Sequence, residues 1–219
     1  MMRTLLLYFF LIPFFSISQT INSIDAYGNK QGVWSQHYPN GNIRYKGQFE
    51  DNIPQGLFFY YYESGELQAE KEFFHKGKAV ATHFFYKDGT LKSSGLYVEE
   101  LKDSTWNYYS RDSILVMSEQ YKGGKLNGTS KSFYYDGSLY EIKSWKNDFL
   151  NGDWKQFYID GSIKLESSYK DNLRDGKEFF YYPNSQLYYY GSYIDGLKSG
   201  FWEYFSDKGI RDTLINYNE

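Results

Sequence analysis

Enzymatic chemistry needs a nucleophile, a base or a cluster of metal ligands, and this 219-residue chain is poor in all three. It has no cysteine, which excludes thiolate catalysis, sulfur-ligated metals and disulfides. Its histidines are His37, His75 and His83. His37 takes the place of a recurring aromatic and reads as a packed ring. His75 falls in a turn, and His83 on the more polar side of a strand. No Gly-x-Ser-x-Gly elbow occurs. Asp and Glu gather at turn signals, where Asp has a conformational reason to stand. Their spacing lacks the dense oxygen set of a calcium loop. The expectation is a non-enzymatic protein with no catalytic residue, no metal site and no cofactor. What the chain has in excess is aromatic: 25 Tyr, 18 Phe and 5 Trp. Such side chains fill cores, and where exposed they hold peptides or sugars.

The aromatics are periodic. Glycine stands at Gly32, Gly56, Gly128, Gly152, Gly176 and Gly200, a spacing of 24 that skips only Val80 and Ser104. Seventeen residues after each of these eight starts comes an aromatic: Phe49, Phe73, Tyr97, Tyr121, Trp145, Tyr169, Tyr193 and Tyr217. A chain that is 22% aromatic does not do this eight times by chance. A period of this size marks an array in which each unit buries its apolar groups against its neighbours.

With each start counted as position 1, position 3 carries Trp34, Phe58, Trp106, Trp154 and Trp202. Position 7 is Tyr in six units, and position 12 is Ile or Leu in seven. Positions 9 and 10 read Asn40-Gly41, Ser64-Gly65, Asp88-Gly89, Asp136-Gly137 and Asp160-Gly161. Asn-Gly and Asp-Gly between strand-like runs predict a two-residue type I′ hairpin turn. That turn sets position 7 opposite position 12. Positions 3, 5 and 7 then share an apolar face with 12, 14, 16 and 18. A second turn, such as Asp51-Asn52 or Asp171-Asn172, closes each unit. The strand holding the repeat glycine is about two residues longer than its partner, which suits either a bulge or bend at that glycine or a flexible loop there. The result is an all-β, elongated antiparallel meander of about sixteen strands, a single curled or twisted sheet of stacked hairpins.

Position 6 lies on the other, more polar face. Its aromatics Tyr61, Phe85, Tyr109, Phe133, Phe157 and Tyr181 form the candidate binding surface. They read either as cross-strand packing or as a stacked platform for an apolar peptide or a glycan. Units three and four are the most degenerate, with Arg111-Asp112-Ser113-Ile114 in place of a glycine turn.

Residues 1–18 are a different object. Arg3 precedes an apolar run from Thr4 to Phe15, and Ser16 and Ser18 stand at cleavage-site positions. This is the layout of a secretory signal peptide. The run is too short to span a bilayer, so no transmembrane span is expected in the mature chain, and the destination is periplasmic, outer-surface or extracellular. Residues 19–31 read as a partial N-terminal repeat or cap, and 32–219 as eight repeats starting at 32, 56, 80, 104, 128, 152, 176 and 200. The formal charge of −3 from 24 basic and 27 acidic residues argues against a nucleic-acid partner.

The unit Gly152-Asp153-Trp154 through Tyr158, with Asp160-Gly161, Ile163, Tyr169, Asp171 and Gly176, resembles the bacterial variant of MORN repeats, as found in YwqK-like proteins named as toxin–antitoxin antitoxins. The resemblance covers residues 25–219. It implies an elongated sheet of hairpins acting in protein or membrane association, and it carries over no active site. The functional expectation is an exported scaffold binding a protein partner. The alternatives are an antitoxin or immunity protein and a carbohydrate-binding envelope protein.

Overall fold

The structure, a computed structural model, describes residues 20–218. The signal-peptide reading lies outside the described residues. The strands are β1 (Ser23–Ile24), β2 (Lys30–His37), β3 (Ile43–Glu50), β4 (Ile53–Tyr61), β5 (Leu67–Phe74), β6 (Ala79–Phe85), β7 (Leu91–Val98), β8 (Leu101–Tyr109) and β9 (Leu115–Lys122). They continue as β10 (Lys125–Phe133), β11 (Leu139–Lys146), β12 (Phe149–Phe157), β13 (Ile163–Lys170), β14 (Leu173–Arg174), β15 (Gly176–Tyr181), β16 (Leu187–Ile194), β17 (Leu197–Phe205) and β18 (Arg211–Asn216). Each pairs antiparallel with its sequence neighbours in one open sheet, and β13 pairs with both β14 and β15, the two pieces of one interrupted strand. The short β1 and this interruption account for the excess over sixteen.

The body of each hairpin has the expected register. Gly56 faces Phe73, Phe58 faces Lys71 and Tyr60 faces Ala69, so position 1 meets 18, 3 meets 16 and 5 meets 14. Nearly every deeply buried residue sits at these positions: Phe58, Trp106 and Trp202 at 3, Ala69 and Leu165 at 14, Tyr193 at 18. Buried Thr82 and Glu178 occupy 3, Ser93 and Glu141 occupy 14, and Ser167 occupies 16.

The two turns differ from expectation in opposite senses. The Asn-Gly and Asp-Gly turns are three-residue loops. Gly161 N–H donates to the Tyr158 carbonyl at 2.9 Å, and Tyr158 N–H to the Ser162 carbonyl at 2.8 Å. Only the glycine has positive φ, 84° at Gly161, which makes this a type I turn ending in a bulge rather than type I′. Asp160 explains the choice. Its Oδ1 accepts from both the Ser162 amide and hydroxyl, an Asx turn that leaves φ negative at Asp160. Position 12 therefore lies opposite position 6, as Leu67 opposite Tyr61 and Leu91 opposite Phe85, and belongs to the mixed face. The type I′ geometry appears instead at the second turns. Asp171 and Asn172 have φ of 48° and 69°, and Asn147 and Asp148 have 52° and 70°.

The repeat glycine does mark a bulge. Across β3 and β4, Gln48 faces Gln55 and Lys46 faces Phe59, so Gly47 alone opposes Gly56, Leu57 and Phe58. Gly56 has φ of 62°, and Ser104 adopts 58° in a glycine's place. Unit three is different because β-branched Val80 does not take such a φ. Strands β5 and β6 pair without a bulge from Phe74–Ala79 to Ala69–Phe84. The two surplus residues move into the turn, which lengthens to 75–78, with His75, Lys76 and Gly77 all at positive φ.

Candidate interaction surface

The buried face is built from interlocking units. A position-3 ring lies edge-on between the position-18 rings of its own and the preceding unit. Phe58 is 5.1 Å from Phe49 and 5.0 Å from Phe73, and Trp202 is 5.1 Å from Tyr193 and 6.1 Å from Tyr217. Each such ring presses on position 16 of the preceding unit. A Cβ added at Gly47, Gly95 or Gly191 would lie 2.4, 2.3 or 2.1 Å from Phe58, Trp106 or Trp202, so only glycine fits there. A cation at position 23 closes the box. Lys30 lies 4.8 Å from both Trp34 and Phe49, Lys102 is 4.7 Å from Trp106 and 4.8 Å from Tyr121, and Lys198 is 4.0 Å from Trp202 and 5.2 Å from Tyr217. Burial, aided by the hydrogen bond to Glu119, pushes the Tyr121 phenol up to about 12.

The turn rows are stitched from unit to unit. The position-7 phenols of Tyr38, Tyr62, Tyr86, Tyr134, Tyr158 and Tyr182 each donate to the position-6 carbonyl of the next unit, at 2.6 to 3.1 Å. The bulged residue at position 13 covers that ring, as Arg44 does Tyr38, Lys92 does Tyr86 and Lys164 does Tyr158. Unit four has Ser110 here, whose hydroxyl accepts from its own Ile114 amide instead. At the other end, Asn52, Asp148 and Asn172 accept through Oδ1 from the backbone amides of Lys30, Leu126 and Leu150.

On the mixed face, Tyr61, Phe85, Tyr109, Phe133, Phe157 and Tyr181 are all half-buried. They share the face expected from the sequence, but they do not form the stacked platform that was one of its two readings. Consecutive members lie two strands apart, roughly 9.5 Å, and among the described residues no two of the six rings pack together. A side chain of the adjacent strand packs on the first of them: Lys46 on β3 lies 5.9 Å from the Tyr61 ring. The cross-strand aliphatic neighbour at position 12 supplies their packing. His37 is exposed rather than packed, because the first unit has no such cover before it. His83 is exposed on the same face, and His75 is in the turn.

Missed from sequence was a second row on this face. Positions 19 and 22 flank each type I′ turn and from unit three on are apolar or lysine: Val98 and Leu101, Lys146 and Phe149, Lys170 and Leu173, Ile194 and Leu197. Their exposures are high, 49% at Phe149, 59% at Ile194 and 75% at Leu197, and Phe201 beside them is 59% exposed. The signal was the apolar residue that follows the turn pair, as Leu173 follows Asp171-Asn172 and Leu197 follows Asp195-Gly196. Among the described residues, no group of three or more His, Asp and Glu is placed to hold a metal ion, and no helix is long and apolar enough to cross a membrane.

The MORN repeat variant pattern matches residues 30–51, 54–75, 126–147, 150–171 and 174–195, together half of the chain. The chain belongs to the MORN repeat variant family. The matched MORN segments keep the 24-residue phase of the hairpins, and units three and four, where Val80 and Ser104 replace glycine, fall between them. No curated protein matches the chain. Two solved structures align over most of it, "Crystal Structure of TcdB2-TccC3-Cdc42" at 8% identity and "Crystal Structure of TcdB2-TccC3-TEV" at 12%. They cover 84% and 89% of this chain but 14% of their own, with TM-scores of 0.20 and 0.21. Superposition that loose carries no inference about this MORN protein.

Proposed function

We propose that this MORN protein is an exported, non-enzymatic scaffold that holds a protein partner on its mixed face. The observation that carries the reading is the exposed row of Leu101, Phe149, Leu173, Ile194, Leu197 and Phe201, interleaved with Lys122, Lys125, Lys146 and Lys170. Lysines stand within the row and the turn carboxylates Glu100, Asp148, Asp171 and Asp195 edge it, so apolar area of this kind suits a protein surface with apolar side chains and a rim of mixed charge. The position-6 rings, Tyr61 through Tyr181, form the floor beside it. Export rests on the layout of residues 1–18, which would place the partner in the envelope or outside the cell.

Cross-linking and pull-down of the chain from its own cells test this. Phe149→Ser with Leu173→Ser and Leu197→Ser should abolish recovery of the partner while the melting temperature stays near wild type. Undiminished recovery by that variant would remove the row from the proposal. A toxin-neutralising role is a special case of the same contact, favoured by the resemblance to YwqK-like repeats. It requires rescue of growth when the chain is co-expressed with a toxin. A glycan-binding role would use the position-6 rings and requires glycan retention that Tyr61→Ala with Phe157→Ala destroys.

A further inference from the structure

Three units lack the position-3 aromatic, with Thr82, Ser130 and Glu178 in its place. Two of these gaps are closed from within. Trp145 reaches across to donate its Nε1–H to Ser130 Oγ at 2.7 Å. Glu178 accepts from the Tyr189 phenol at 3.0 Å and lies 3.3 Å from Arg174, which spans the neighbouring Trp154 and Tyr193 rings. The third, at Thr82, receives no ring, and a cavity lies beside it.

Its position-18 rings, which grip a position-3 ring in the units that have one, are Phe73 and Tyr97. A cavity of about 480 Å³ has both rings in its wall, with Ile53, Pro54, Val80 and Lys71. That is within the range of about 300 to 1,000 Å³ typical of small-molecule sites. Thr82 itself is fully buried and outside the cavity wall, and its hydroxyl makes no hydrogen bond. The Lys71 ammonium, half-buried beside it on the facing strand, has only ring faces around it: Tyr60 at 5.2 Å, Phe84 at 5.9 Å and Tyr97 at 6.0 Å. No carboxylate among the described residues pairs with it. Glu100 and Lys76 stand at the mouth with opposite charges, leaving Lys71 as the uncompensated one.

We propose that this cavity binds an aromatic carboxylate, its ring seated edge-on between Phe73 and Tyr97 and its carboxylate on the Lys71 ammonium. The ring meets the two position-18 rings that have no position-3 ring between them, and the anion supplies the partner that Lys71 lacks. Desolvation pulls the Lys71 amine below its ordinary value, and a bound anion would reverse that. The source of the carboxylate is either a free aryl acid or a peptide ending in phenylalanine. The site stands apart from the mixed-face scaffold, since it opens on the other face of the sheet.

The test is calorimetric or ligand-observed NMR titration of the full chain with 3-phenylpropionate, 3-phenylpropionamide and butyrate. The acid should bind about tenfold tighter than its amide, and butyrate more weakly than either, since charge assistance and ring burial are separate contributions. Lys71→Met keeps the length of the side chain and should bring the acid down to the affinity of the amide. Val80→Phe puts a ring into the cavity from its own wall and should abolish binding with the fold retained by circular dichroism. If that variant does not fold, Lys71→Met and the acid-to-amide ratio decide. Peptides ending in Phe with free or amidated C-termini separate the sources: tight binding by the free-ended peptide assigns the site to a C-terminus, and binding by 3-phenylpropionate alone assigns it to a free acid. Equal affinity for acid and amide, acid preference that survives Lys71→Met, or no saturable binding of acid in the millimolar range would overturn the proposal.

Discussion

The row of position-7 tyrosines offers the sharpest test of how the array holds together. Tyr158→Phe removes one donor, the phenol that reaches the Tyr181 carbonyl of the next unit at 2.6 Å, and leaves the ring in place under Lys164. The acceptor is a backbone carbonyl with a second lone pair, so its loss of one donor is tolerable, and the cost should sit near the typical net value of about 1 kcal/mol. For a chain of this size that is about 2 to 4 °C in melting temperature. With a urea m-value of about 1 to 3 kcal/mol/M, it is about 0.3 to 1 M in the midpoint. Tyr134→Phe should cost the same, and the double variant about 2 kcal/mol if the two links act independently. Tyr135→Phe is the control, because Tyr135 is 83% exposed and outside the row. Unit four lacks the link, so Ser110→Tyr should gain about 0.5 to 1 kcal/mol by reaching the Phe133 carbonyl. Urea melts followed by circular dichroism measure all five variants. A midpoint for Tyr158→Phe that coincides with that of Tyr135→Phe would refute the idea that these phenols couple the repeats.

Positive φ yields a second set of expectations. Ser104→Gly relieves a left-handed serine at φ 58° and should stabilise by about 1 kcal/mol, whereas Val80→Gly, at an ordinary backbone position, should destabilise; thermal melts separate the two. Gly161→Val should cost more than Ser113→Val, although both positions have positive φ. Ser113 also has φ of 60° and already bears part of the strain, so equal losses in urea would contradict that account. Gly191→Ala places a Cβ against Trp202 and should cost about 1 to 3 kcal/mol by overpacking, with a smaller loss when Trp202→Ser is added; an unchanged melting temperature for the single variant would contradict the close approach. The Asp136 and Asp160 carboxyls are held below their ordinary 3.8 by the Ser138 and Ser162 hydroxyls and amides. A depressed folded value contributes stability above the ordinary value and loses it as pH falls further. Wild type should therefore weaken below about pH 4 more than Asp136→Asn with Asp160→Asn, and parallel acid titrations would count against the Asx turns.

The sequence by itself determined the period, the all-β class and the face that carries the rings of positions 3 and 18. Glycines, turn pairs and alternating aromatics are local signals, and each repetition adds the same constraint again. The main hairpin register was legible for the same reason, since positions 1, 3 and 5 can reach 18, 16 and 14 in only one alignment that keeps the rings on one side. The bulge at the repeat glycine was legible too, from a two-residue difference in strand length. Tertiary structure decided the rest. Asp-Gly reads equally well as type I′ or as an Asx-stabilised type I turn. Only the Ser162 hydroxyl on Asp160, and the paired positive φ of Asp171 and Asn172, separate the two. That choice moved position 12 to the mixed face. The spacing of the position-6 rings followed from strand geometry rather than from their regular recurrence. The cavity beside Lys71 depended on distance in space: Lys71, Phe73, Val80 and Tyr97 come together in its wall only once the strands are paired.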